Sequence, residues 1–102
     1  MAIFKNITST PVKLVDGDNY STQINSITID SIMISNNSSS ECTVGVYLED
    51  KDDVGTDYYL CKNLKIPGNV SLVLDEPFTY NVQGNDLKIE TSSNPDLTVI
   101  VN

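Results

Sequence analysis

Residues 41–77 read ECTVGVYLED-KDDVGTDYYL-CKNLKIPGNV-SLVLDEP, and this stretch decides the fold. From Cys42 to Glu49 the side chains alternate. Cys42, Val44, Val46 and Leu48 fall on one side, and Thr43, Gly45, Tyr47 and Glu49 on the other. A period of two is the mark of a strand with one buried face. After an acidic loop the chain returns through Tyr58–Lys62, then Leu64 and Ile66 lead into Pro67-Gly68-Asn69. Proline and glycine together mark a turn. Val70, Leu72 and Leu74 alternate again until Asp75-Glu76-Pro77 stops them. The stretch is a β-meander.

The flanks repeat this pattern. Ala2–Thr8 alternates weakly, with Ile3 and Phe4 near its start, and Pro11 separates it from Val12–Val15. Residues 1–10 therefore read as an edge strand or as an N-terminal arm that adds itself to a neighbouring subunit. Asp16-Gly17-Asp18-Asn19 is turn chemistry. In the series Ile24, Ile27, Ile29, Ile32, Ile34 the step of three after Ile29 changes face. That predicts two strands, or one strand with a bulge at Asp30-Ser31. A helix is excluded because Ser31 interrupts its apolar face and β-branched residues dominate. Phe78–Val82, Leu87–Ile89 and Leu97–Val101 supply the last strands. About eight short strands separated by turns, with no helix, predict a single all-β domain over residues 1–102. The architecture expected is an antiparallel β-sandwich of jelly-roll or immunoglobulin-like order.

Charge and composition narrow the function. Six basic residues against fourteen acidic ones give a net charge of −8. Binding to nucleic acid or an anionic membrane needs an excess of Lys and Arg, so neither partner is expected. No apolar run is long enough to span a bilayer, and the N-terminus carries no secretory pattern. If Leu60 faces the core with Val46, Cys61 points away from the face that carries Cys42. The two cysteines then stay as free thiols, as expected in a reducing compartment.

No histidine is present, which removes the commonest general base and every Ser-His or Cys-His pair. The expectation is a non-enzymatic protein without cofactors. Asp50, Asp52 and Gly55 match positions 1, 3 and 6 of a calcium loop, with Asp53 and Asp57 close by. Val54 stands where position 5 should give oxygen, and no Glu follows at position 12. The four aspartates are thus a degraded calcium pattern beside the simpler reading of a solvated hairpin tip. Tyr47 and Tyr59 are expected outward on neighbouring strands, with Tyr58 beside them. Such tyrosines stack on a sugar, anchor a protein partner, or only stabilise the sheet face.

The order of strands carries a resemblance. Ile27-x-Ile29 is followed by Ile34-Ser-Asn36, then Val44-x-Val46-Tyr47-Leu48. Leu64-x-Ile66-Pro67-Gly68-Asn69-x-Ser71-Leu72 comes next, then Asp86-Leu87-Lys88-Ile89 and a closing Leu97-Thr-Val99. Over Ser26 to Asn102 the chain resembles small all-β virion proteins of tailed bacteriophages. These are capsid decoration (cement) proteins and neck, tail or head-fibre accessories. The resemblance implies a structural virion component made in the host cytoplasm, bound to capsid or other virion proteins, and a possible homo-oligomer. A carbohydrate-binding sandwich is the alternative from a different class.

Overall fold

The computed structural model describes residues 2–92 and 94–102. Its strands are β1 (Ile3–Ile7), β2 (Val12–Val15), β3 (Ser26–Ile29), β4 (Ile32–Asn36) and β5 (Cys42–Asp50). The second half adds β6 (Asp57–Ile66), β7 (Ser71–Leu74), β8 (Phe78–Asn81), β9 (Asn85–Thr91) and β10 (Leu97–Val101). A single 3-10 turn, Gly17–Asn19, is the other regular element among the described residues.

Pairing follows one rule. The first strand pairs with the tenth, the second with the ninth, the third with the eighth, the fourth with the seventh and the fifth with the sixth. Every pair is antiparallel, so the first half of the chain runs back along the second. The acidic loop between β5 and β6 is the point of return. Two further antiparallel pairings, β10 with β4 and β9 with β5, divide this long ladder between sheets. The result is two four-stranded sheets, β1-β10-β4-β7 and β2-β9-β5-β6, with β3-β8 as a two-stranded third. The change of face after Ile29 is explained here: β3 and β4 belong to different sheets. The chain crosses at Asp30-Ser31, whose N–H groups both donate to the Asn102 carbonyl.

One apolar cluster draws on all three sheets. Ile7, Ile32, Ile34, Leu97, Val99 and Val101 come from the first; Val15, Val44, Val46, Leu87 and Ile89 come from the second. Ile29 and Tyr80 come from the third. Each fully buried aliphatic side chain stabilises the fold by about 1.5–3 kcal/mol, and these positions are the inward half of each alternating strand.

Two buried polar residues tie the loops to this core. Asn36 donates through Nδ2 to the carbonyls of Ser40 (2.8 Å) and Ile66 (3.0 Å) and accepts at Oδ1 from Ser38 N–H (3.1 Å). Asp86 accepts from Gly17 N–H at 3.3 Å and has the ammonium groups of Lys13 and Lys51 at 3.5 and 3.8 Å. A buried carboxylate needs such partners, because an unpaired charge in a dry interior is costly.

The β5–β6 register departs from simple alternation. Val44 stands opposite Leu64, Val46 opposite Cys61 and Tyr47 opposite Tyr59. Lys62 and Asn63 therefore share the place opposite Gly45, and Leu60 has no partner residue. Asn63 takes φ +56°, a left-handed conformation that Asn tolerates. These bulges overturn the parity expected for the thiols. Leu60 is turned out and 42% exposed, while Cys61 packs against the core. Both thiols are free. Cys42 stands opposite Ile66, five residues along β6 from Cys61, so separation along the strand keeps them apart, not opposite faces.

Candidate functional site

The tyrosines do not form the platform that alternation suggests. Tyr47 does project from the outer side of the β2-β9-β5-β6 sheet, but its neighbours cover it to 4% exposure. The Tyr59 ring lies 5.1 Å from it, centroid to centroid, and the Lys88 ammonium sits 5.9 Å from its centre. Tyr59 in turn donates its hydroxyl to Glu90 at 2.6 Å and carries the Lys62 ammonium 4.7 Å above its ring. Its phenol is pushed up to about 12, chiefly by that hydrogen bond to Glu90. Burial raises the Tyr47 phenol as well. Lys88 also pairs with Glu49 at 3.2 Å.

Gly45 leaves the room for this layer, since a Cβ there would meet Glu90 at 3.1 Å and the Tyr59 ring at 3.4 Å. Tyr58 is exposed but stands opposite Leu48, on the other side of the strand from Tyr59. Tyr47 and Tyr59 thus pack across neighbouring strands, and Tyr58 does not join them in one open stacking surface.

The acidic loop is engaged with itself. Asp50 accepts from Asp52 N–H at 2.9 Å, and Asp53 accepts from the Thr56 hydroxyl at 2.7 Å. Asp57 begins β6 opposite Glu49, and one of its carboxylate oxygens is buried with no hydrogen-bond partner. Among the described residues no three acidic, cysteine or histidine groups gather to hold a metal ion. The four aspartates are strung from the end of β5 through the turn to the start of β6, and they do not gather into one cluster.

At the N-terminus, β1 is an edge strand hydrogen-bonded to β10 of its own chain. Ile7 is fully buried in the core, Ile3 packs at its margin, and Phe4 is 69% exposed. Sequence reasoning noted Phe4 but missed what lies beside it. Cross-strand register aligns Phe4 with Ile100, Ile100 with Met33 and Met33 with Val73, an apolar row over the whole outer face of the β1-β10-β4-β7 sheet. The next row is polar: Asn6, Thr98, Ser35 and Ser71. Within it the Ser35 and Ser71 hydroxyls share a 2.6 Å hydrogen bond. None of these eight outward positions is charged, on a chain of net charge −8. The signal was in the alternation, as the other half of each strand, but assembling it required the pairing order.

Beside the β7 edge lies an apolar groove of about 350 Å³, lined by Ile32, Leu60, Val73, Leu74 and Phe78 with Asp75 and Glu76 at its rim. No helix among the described residues is long and apolar enough to cross a membrane.

Comparison with known proteins gives likeness of structure alone. No family model and no curated protein matches the chain. Among solved structures, a chain of the T13 IBDV viral particle is similar over 99% of this chain and 30% of its own, with TM-score 0.54 and 10% identity. A chain from infectious bursal disease virus strain Gx covers 99% of this chain and 33% of its own, with TM-score 0.47 and 9% identity. The Anabaena sensory rhodopsin transducer covers 76% of this chain and 81% of its own, with TM-score 0.45 and 13% identity. This protein thus spans about a third of the length of the viral-particle chains it is similar to. The first likeness is one of fold: an all-β chain whose strand arrangement is also found in a viral particle.

Proposed function

We propose that this chain is a non-enzymatic structural component of a bacteriophage virion, attached to the outer shell as a decoration or auxiliary capsid protein. The observation that carries this reading is the strand order. Setting aside β3 and β8, eight strands remain in two four-stranded sheets, and the pairing first-with-last through to the central hairpin is that of a rolled-up antiparallel ladder. This supports a jelly roll, an architecture used by viral capsid domains. The viral-particle chain that is similar over nearly the full length supports the same direction, as does the order of strand motifs from Ser26 to Asn102. A neck, tail or head-fibre accessory fits the same observations.

A virion role needs surfaces for other proteins and no catalytic centre. The absence of histidine from the sequence and the self-engaged tyrosines and aspartates agree with that. The carbohydrate-binding alternative loses its support, because Tyr47 is covered and Tyr58 and Tyr59 do not share a surface.

The test is direct. An antibody against the chain should label purified virus particles, and the chain should co-sediment with intact shells. A chain absent from particles in the producing infection would overturn the proposal. Labelling confined to the neck or tail would transfer it to the accessory role.

A further inference from the structure

We propose that two copies of this chain join head to tail, with β1 of one copy added antiparallel to the free edge of β7 of the next. The strands of the β1-β10-β4-β7 sheet alternate in direction, so β1 and β7 lie at opposite edges and run antiparallel to each other. A second copy placed in the same orientation therefore continues the sheet without reversing any strand.

Register and charge both favour a second copy as the occupant. Setting Phe4 of one copy opposite Val73 of the next extends the apolar row, and it places Asn6 beside Ser71, so the polar row is extended too. On the inner side the same register sets Ile3 beside Leu74, at the mouth of the apolar groove. Lys5 then lies beside Leu72, where its aliphatic stem covers the leucine while the ammonium reaches solvent. Proteins that guard their sheet edges do so with charge, proline or a bulge. The four residues of β7, Ser71 to Leu74, have none of these. Its Val73 is 52% exposed. A basic partner would call for an acidic face, whereas these outward positions carry no charge at all. Two chains of net charge −8 repel each other over most of their surface, and the edges of this uncharged outer face are where they can approach.

Such a contact uses two different patches, so it either closes into a ring or runs on as a chain of copies. It concerns the sheet itself and stands whether or not the assembly is a virion.

The experiment is a pair of substitutions, Phe4→Lys and Val73→Lys, read by light scattering behind a sizing column. Both side chains are exposed, so both variants should keep the circular dichroism and thermal midpoint of the parent. The parent should assemble beyond one 11.2 kDa chain. Each variant alone should be monomeric. Mixed in equal amounts they should form a dimer and nothing larger, because only one intact β1 edge and one intact β7 edge then meet productively. A parent that stays monomeric up to about millimolar concentration, far above the range of specific association, overturns the proposal. So does a variant that still assembles, or a mixture that remains monomeric. Loss of virion labelling with the head-to-tail dimer intact would count against the virion reading alone.

Discussion

The side-chain amide of Asn36 donates to the backbone carbonyl of Ile66 at 3.0 Å, which joins the end of β4 in one sheet to the end of β6 in the other. The same amide serves Ser40 and Pro67, and its oxygen takes the Ser38 N–H, so a single buried side chain satisfies four backbone groups of two loops. Asn36→Leu leaves the buried Ile66 carbonyl without its partner and should cost about 1–3 kcal/mol, the penalty for one buried group left unsatisfied. Asn36→Asp sets a carboxylate against three carbonyl oxygens and should be at least as harmful. Urea midpoints at constant m-value measure both. A loss below about 0.5 kcal/mol, the range of ordinary surface changes, would show that the loops are held by something else.

Tyr80 presents the opposite case. Its ring is buried in the core beside Phe78, with centroids 6.0 Å apart, while its hydroxyl is buried without a hydrogen-bond partner among the described residues. Burial also raises its phenol well above the ordinary tyrosine range. Tyr80→Phe keeps the ring and removes the orphan oxygen. It should be neutral or stabilising by up to about 1 kcal/mol. A clear fall in thermal midpoint would reveal a hydrogen bond that the hydroxyl makes.

Alkaline pH should weaken the fold through Tyr59. Its phenol titrates near 10 when free and at about 12 in the fold, because the neutral hydroxyl donates to Glu90. The folded state thus holds the proton more tightly than the unfolded state. The stabilisation is fully present below about pH 10 and is lost as pH rises through about 12. Tyr47 and Tyr80, also raised, add loss of the same sign. Tyr59→Phe should flatten the alkaline limb of a stability–pH curve without abolishing it. An unchanged limb would assign the loss elsewhere.

Both thiols should be slow to react in the folded chain. Cys42 is buried, and Cys61 is half-buried with its thiol raised by loss of solvent around it. The thiolate is the reactive form, so a raised thiol reacts slowly near neutral pH. A colorimetric thiol reagent should find two thiols in denaturant and react far more slowly in its absence. Rapid native labelling of Cys61 would mean that β6 opens at its bulges.

Calcium should leave thermal unfolding unchanged. A ligand of the folded state raises stability by mass action, and the carboxylates of Asp50 and Asp53 are already engaged within the loop. A midpoint that rises with calcium and falls with chelator would mean that Asp50, Asp52, Asp53 and Asp57 regroup around the ion.

Much of the fold was legible along the chain because a strand with one buried face writes its own period. Cys42, Val44 and Val46 are buried as the alternation requires, and Ile29 and Ile32 mark the step between two sheets. The β5–β6 hairpin is legible for the same reason, since its loop and both strands are contiguous. Leu60 and Cys61 were misplaced because a bulge adds a residue to one strand without altering its composition. Tyr47 was assigned its correct side but not its burial, which depends on Tyr59 and Lys88 arriving from other strands.

By itself, then, the sequence determined an all-β chain, its turns, its inward residues outside the bulged part of β6, and a surface chemistry without histidine or excess cation. Those are properties of near neighbours, fixed by side-chain period and residue type. The pairing of β1 with β10, the tie from Asn36 to Ile66, and the uncharged row from Phe4 to Val73 belong to the tertiary structure alone. They join residues that lie 30 or more positions apart along the chain. Backbone hydrogen bonding is the same for every strand, and only packing of the common core selects which strands meet.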